Sequence, residues 1–407
     1  MNSESRRISL ERAAELKKET LGISAFKMSF YEDLKKRKEK SEAMKRRLLE
    51  YFGGSAEDWD DWKWQLKNRI SDVDVLVKFL NLSQEEKDGV IQVAKTYRWA
   101  CTPYYLSLMD PDDHSYPINR MAIPAIDETD MSGESDPMDE EHTSPAACIT
   151  RRYPNRLIIN VTSACAMFCR HCQRRRLIGE CDRTKSRTEI DEAIAYVREN
   201  EEIRDILVTG GDPMLLPDGE LEYILKSLRA IPHVEIIRIG TRVNVTMPQR
   251  ITPELAGMLK KYHPLFVNIQ FNHPAEITEE SRRACELLAD AGIPLGNQMV
   301  FLKGINNDKY VVQLLNEQLL TCRVRPYYIF HPKQVVGTHH FSISVSEGIE
   351  IMKYLRGHTS GLAIPSYILN APGGLGKIPL LPEYIIENTP ERVRLRTWEG
   401  KEIEIIS

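Results

Sequence analysis

Between Arg156 and Phe330, short apolar runs alternate with helix-like segments at a steady spacing, and that rhythm limits the folds open to the chain. The apolar runs are "RLIINV", "IRDILVTGGD", "VEIIRIGTR", "PLFVNIQF", "PLGNQMVFL" and "VRPYYIF". Among them lie "ELEYILKSLRA", "ITPELAGMLKKY" and "EESRRACELLADAG". Strand, loop, helix, strand in that order argues for right-handed βαβ units and a parallel sheet. Six repeats are too few for an eight-fold barrel. The expected fold is α/β, an open partial (β/α)6 barrel over residues 149–345, with chemistry at the carboxyl ends of its strands.

The flanks differ in character. Residues 1–55 are helix-prone and basic ("LKKRKEK", "AMKRRLLEYF") and read as a helical arm, solvated or packed on a partner subunit. A helical domain is expected over 56–126. Its Trp59, Trp62 and Trp64 have partly helical spacing and read as core rather than as a ligand cage. Residues 127–148 begin "DETDMSGESDPMDEEH", acidic with almost nothing to bury, and read as a linker or loop. A C-terminal segment covers 346–407. The formal net charge of -4 gives no hint of nucleic acid as a general partner. The N-terminus is polar, without the apolar stretch of a signal peptide, and no segment approaches about 20 consecutive apolar residues. A cytoplasmic protein with no membrane contact is expected.

Three of the eight cysteines crowd into "CAMFCRHCQRRR": Cys165, Cys169 and Cys172, in the loop after the first barrel strand. Eight cysteines in so long a chain do not make a secreted disulfide scaffold. Cys101, Cys148, Cys181, Cys285 and Cys322 are scattered and read as small buried or neutral residues. Three thiolates cannot close a tetrahedral zinc site, which takes four protein ligands. The triplet is therefore an incidental run, a zinc site completed by His171 or a distant ligand, or a four-iron cluster with one iron free of protein. Two glycine-bearing motifs accompany it. In "TGGD", Gly210 and Gly211 allow close approach to the backbone and Asp212 can accept a hydrogen bond from an ammonium group. In "APGGLGKIP", Lys377 follows a glycine-rich turn, where a lysine either forms a Schiff base with an aldehyde cofactor or stands in solvent.

C-x3-C-x2-C in the first loop of a partial barrel resembles the radical S-adenosylmethionine enzymes. The wider set "HTSPAACITRRYPNRLIINVTSACAMFCRHCQRRR", "TGGDPMLL", "IPHVEIIRIGTR", "FNHPAEITEES", "ADAGIPLGNQMVFLKGIN", "VRPYYIF", "LRGHTSG" and "APGGLGKIPL" resembles the lysine 2,3-aminomutase family, over residues 55 to about 400. That resemblance implies a [4Fe-4S] cluster on Cys165, Cys169 and Cys172, with S-adenosylmethionine on the open iron. It implies Gly210, Gly211 and Asp212 at the methionine amino group and Gln298 near the adenosyl group. It places pyridoxal 5'-phosphate on Lys377, with Arg152 and Arg156 at its phosphate and Tyr153 beside it. It gives Arg174 the substrate α-carboxylate, a bidentate task suited to a guanidinium fork. A 5'-deoxyadenosyl radical then takes hydrogen from C3, and the amino group migrates from C2 to C3.

The sequence departs from the lysine-specific pattern at the distal end of the substrate. Two aspartates hold the distal ammonium in lysine-specific relatives; "RPYYIFHPK" and "SYILNAPGG" put Lys333 and Asn370 there. A lysine cation repels an ammonium and attracts a carboxylate, and Asn370 can donate a hydrogen bond to one. The expected activity is an isomerase moving the α-amino group of L-glutamate to C3, with the shorter aspartate the less favoured substrate. The tail "RVRLRTWEGKEIEIIS" lacks the cysteines that bind a structural zinc in lysine-specific relatives, so no such zinc is expected. A protein reductant and homo-oligomerisation are expected. A lysine aminomutase and a non-catalytic iron–sulfur electron carrier are the alternatives; the second gives no reason for an open cluster site or for Lys377.

Overall fold

The computed structural model describes residues 3–178, 181–390 and 392–406. Its centre is a curled nine-stranded sheet whose strands lie side by side in chain order. They are β1 (Ile149–Tyr153), β2 (Arg156–Thr162), β3 (Asp205–Gly210), β4 (Ile236–Thr241), β5 (Leu265–Ile269), β6 (Leu295–Val300), β7 (Val324–Phe330), β8 (Ser366–Asn370) and β9 (Lys377–Pro379). Strands β2 to β8 pair in parallel, while β1 and β9 close the two edges antiparallel. The six expected strands are β2 to β7. The sequence reading did not single out "SYILN" as a seventh parallel strand or the short antiparallel edges.

Among the described residues, a helix of seven residues or more lies between each two consecutive parallel strands, from Arg187–Glu199 to Val345–His358. The first shows why they form. Ser186 and Glu189 make a reciprocal capping box, and Ile190, Ala193, Ile194 and Val197 make one apolar stripe. The strands alternate accordingly. Leu157, Ile159 and Val161 of β2 point outward into the buried layer beneath the helices; Arg156, Ile158 and Asn160 point into the curl. The apolar core thus lies between sheet and helices, and the concave face is left for polar groups.

The N-terminal region is not a free arm. Helix Ser3–Glu19 is largely exposed, but helix Leu21–Phe52 buries Ile23, Met44 and Leu48, and both Arg37 (2.5 Å) and Lys40 (3.0 Å) pair with Asp110. Trp59 is fully buried with Trp64 against it, as a core residue should be.

Residues 127–148, expected to be a linker or loop, form a loop that is held against the barrel. The segment is a strap laid over the mouth of the barrel. Glu134 pairs with Val335 through the backbone, Gly337 donates to the Asp130 carbonyl, and Gly373 donates to the Pro137 carbonyl. It buries Glu128 completely and Glu140 almost so. At the other end, β10 (Ile385–Asn388), β11 (Arg392–Arg396) and β12 (Glu402–Ile406) form a separate antiparallel sheet with little burial.

Candidate active site

Every site residue singled out in the sequence lines one cavity of about 950 Å³ on the concave face of the sheet. The cysteine loop forms one wall. It leaves β2 at Thr162, and the helical region fixes it from outside. Phe168 donates its backbone N–H to the Ala100 carbonyl (3.0 Å), Arg170 to that of Met121 (2.9 Å), and Arg69 reaches the Cys165 carbonyl (2.5 Å). Arg170 forks onto the fully buried Glu128 at 2.8 and 2.5 Å, and Arg175 joins the same carboxylate at 2.9 Å. The strap therefore holds the loop that carries the thiols. His171 is packed edge-on to Phe341, and its Nε2 meets Asn272 at 3.2 Å. Among the described residues, no three His, Cys, Asp or Glu side chains gather around a single metal ion.

The "TGGD" turn ends β3 and abuts the start of the cysteine loop. Gly211 donates to the Thr162 carbonyl and Asp212 to that of Ala164, at 2.5 and 2.7 Å. A Cβ on Gly210 or Gly211 would sit 2.4 Å from Thr162 O or 2.3 Å from Ala164 O, so the glycines first admit the chain's own backbone. Asp212 accepts from Thr241 Oγ1 (2.7 Å), Arg242 N (2.8 Å) and Met214 N (3.1 Å). Burial pushes its carboxyl up to about 6 against these bonds, which favour the carboxylate.

The opposite wall is cationic. Lys377 opens β9 and pairs in register with Asn370 of β8, so both side chains face the cavity. The turn between them needs its glycines: Gly373, Gly374 and Gly376 have φ of 66°, 72° and 98°. Lys377 Nζ lies 5.2 Å from the ring of Tyr153 on β1, and Arg156 stacks on that ring at 3.7 Å. The two edges of the sheet thus meet at this aromatic ring. Burial lowers the Lys377 ammonium, with Tyr153 opposing the shift. Much of the lysine's surface is nonetheless open, because the cavity is wide enough for water.

Lys333, on the loop after β7, is lowered to about 7, first by burial and then by Arg152 and Arg174. It too is only half-buried by surface area, since it faces the cavity rather than protein. Arg174 reaches Asn160 and Glu140 at 3.3 Å each, and Arg152 lies 3.6 Å from the same Glu140 oxygen. Arg152 Nη1 and Arg174 Nε are buried without a partner among the described residues. Gln298 lines the cavity from β6.

The donor set fits the groups the family uses. Unpartnered guanidinium hydrogens beside Lys333, Lys377 and Arg156 suit phosphate and carboxylate oxygens. Burial pushes the Cys165 and Cys172 thiols up, so ionising them calls for a strong positive centre such as iron.

The sequence reading passed over three groups here. Glu140 joins Arg152 and Arg174, and the Arg170–Glu128–Arg175 set anchors the loop; both acids lay in the segment taken for a linker. Arg242 follows β4 in "GTR". It donates Nη1 to Cys169 Sγ (2.8 Å), Nη2 to the fully buried Glu276 (2.6 Å) and Nε to the Gln270 carbonyl (3.2 Å). Burial works against its charge, and Cys169 and Glu276 more than restore it. The signal for Arg242 was weak: one arginine at the end of a strand.

Comparison with known proteins agrees with the geometry. Residues 159–315 match the family model "Radical SAM superfamily", and 352–404 match "Lysine-2,3-aminomutase". The chain is 56% identical to glutamate 2,3-aminomutase of Clostridioides difficile (strain 630), over 99% of this chain and 96% of that one. It is 51% identical to L-lysine 2,3-aminomutase of Clostridium subterminale, over 84% and 83%. Among solved structures, the maturase HydG covers 73% of this chain and 65% of its own at 12% identity and a TM-score of 0.39. Thiols, glycine turn and Lys377 line one cavity, family models match residues 159–315 and 352–404, and relatives aligned over 96% and 83% of their own lengths are named aminomutases: the chain belongs to the lysine-2,3-aminomutase family of radical S-adenosylmethionine enzymes.

Proposed function

We propose that this enzyme moves the α-amino group of L-glutamate to C3, giving β-glutamate. Lys333 carries the reading. Its ammonium faces the cavity that Asn370 also lines, and it has no ion pair or hydrogen bond among the described residues. A distal carboxylate satisfies both side chains, whereas an ammonium would meet a cation and a neutral amide. The identity to a relative named glutamate 2,3-aminomutase supports the same choice. Glutamate is preferred over aspartate because the shorter acid reaches less far from Arg174 toward Lys333.

Bound at the three thiols and at Lys377, a [4Fe-4S] cluster with S-adenosylmethionine and a pyridoxal phosphate would supply a carbon radical and a carrier for the migrating amino group. The chain's own part is placement. Arg174 forks onto the α-carboxylate, helped by its uncommitted Nε. Lys333 and Asn370 hold the far carboxylate, which fixes C3 relative to C2. Arg152 and Arg156 face the phosphate, Tyr153 flanks it, and Gln298 and Asp212 bind S-adenosylmethionine, with Asp212 at its ammonium group. The strap covers the site and excludes water from reactive carbon centres. No helix of the described residues is long and apolar enough to cross a membrane. We place the enzyme in the cytoplasm, as a homo-oligomer reduced by a protein electron donor.

The test is an anaerobic assay of reconstituted, reduced enzyme with both cofactors, offering glutamate, lysine and aspartate separately and reading β-amino acid products by NMR. Turnover of glutamate with lysine inert is expected. Turnover of lysine instead overturns the specificity and leaves the aminomutase chemistry standing. No turnover of any of the three, with iron and pyridoxal phosphate bound, overturns the function.

A further inference from the structure

Arg242 is bound at both ends to groups that the proposed function uses. Its side chain donates to the sulfur of Cys169, and its backbone N–H donates to the carboxylate of Asp212. The guanidinium has little freedom to swing. Glu276 holds Nη2, the Gln270 carbonyl holds Nε, and Glu276 is itself fixed by Tyr105 Oη (3.0 Å) and by the backbone N–H groups of Asn272 (2.6 Å) and His273 (3.2 Å). A buried charged pair of this kind is weak evidence for stability, since well-packed apolar residues often do as well. A cation held rigidly against one thiol has an electrostatic consequence instead.

We propose that Arg242 is a positioning residue that makes the cluster easier to reduce. The inference rests on the reading of Cys169 as a cluster ligand. Reduction adds one electron, taken from an outside one-electron donor, and makes the cluster and its thiolates more negative by one charge. A cationic N–H donor at a ligand sulfur favours the more negative state and so raises the reduction potential. Glu276 fixes the guanidinium at that sulfur, and the backbone bond from the same residue keeps Asp212 in register with it. One residue thereby couples the site of electron entry to the carboxylate assigned to the S-adenosylmethionine ammonium.

The experiment is a redox titration of anaerobically reconstituted full-length enzyme, without S-adenosylmethionine. The reduced cluster is followed by electron paramagnetic resonance, and iron content is measured on the same samples. Arg242→Gln removes the cation and the fork; Arg242→Lys keeps a charge for Glu276 but cannot bridge to Cys169 as well. The potential is expected to fall in the order wild type, Arg242→Lys, Arg242→Gln. At a poise that half-reduces the wild type, the reduced fraction in Arg242→Gln should drop to about a tenth. If Arg242→Gln does not fold because Glu276 is left unpaired, Arg242→Lys alone decides. Equal potentials in variants with the full iron complement overturn the inference and leave the proposed function intact. A wild-type protein that takes up no iron overturns the proposed function, and this inference with it.

Discussion

Lys333 shows how a single side chain can be costly to the fold and useful to the site. Its ordinary value of 10.5 is lowered to about 7 by burial and by Arg152 and Arg174. Below about pH 7 the folded chain carries a charge that it disfavours. Between about 7 and 10.5 the folded chain has released the proton while the unfolded chain keeps it, so stability rises with pH across that window. Lys333→Met should therefore stabilise the ligand-free protein by about 1 kcal/mol near pH 6, less as pH climbs toward 10, read by thermal melts. The same variant should lose about 30-fold or more in kcat/KM for glutamate, because the distal carboxylate is left without its cation. A variant no more stable at pH 6 than at pH 10, with full activity, would show that Lys333 faces bulk water. The structure brings Lys333, Asn370, Lys377 and the three cysteines to one cavity, as short motifs and the family resemblance they carry led one to expect. Arg242 and Glu140 were not legible in the sequence. Arg242 meets Cys169 across 73 residues, and Glu140 meets Arg174 across 34, so neighbours in the chain say nothing of either contact.

At the scale of elements, the strap over 127–148 carries the same lesson with the opposite outcome. Its acidic, apolar-poor composition is that of a solvated linker, and as an isolated peptide it would be one. What orders it is a set of arginines from the cysteine region and from β1. Glu128 meets Arg170 and Arg175, Asp136 meets Arg176, and Glu140 meets Arg174 and Arg152. Burial of a carboxylate becomes visible only once its partners are placed. Glu128→Ala leaves two guanidinium groups, one of them fully buried, without their counter-charge, and should cost about 3–5 kcal/mol. The expected readout is a melting temperature lowered by several degrees or more, with poor iron uptake because the cysteine loop loses its anchor. A variant that melts like the wild type would remove the strap from the loop's support. The parallel strands were legible for a contrasting reason: their alternation and spacing are properties of the chain itself.

The whole molecule couples its two termini to the barrel. Arg12 of the first helix pairs with Glu399 of the C-terminal sheet, and Trp398 packs against His358. The apolar residues Ile8, Leu10, Ile403 and Ile405 remain exposed on these same parts. Helix Leu21–Phe52, by contrast, covers Met44 and Leu48 inside the main core. Removal of residues 1–19 should leave a folded protein melting within a few degrees of the full chain. Removal of residues 1–52 should uncover core and give an aggregating or strongly destabilised product. Light scattering on the shorter deletion tests the oligomer as well, since an unchanged mass excludes the first helix as its contact. The arm read from charge alone is therefore two objects, one exposed and one integral.

The meeting of β1 and β9 at Tyr153 and Lys377 has a geometric consequence. Sheet twist is cumulative, and eight successive pairings separate these edges. A small change of angle at any pairing is passed to the next and arrives, summed, at the gap between lysine and ring. The Lys377 amine thus stands where the errors of the whole sheet add up. Repacking far out on the helix layer can shift its aim without touching the cavity, and the tight, fully buried outer faces of β3 and β4 act as a tolerance on the position of one nitrogen atom.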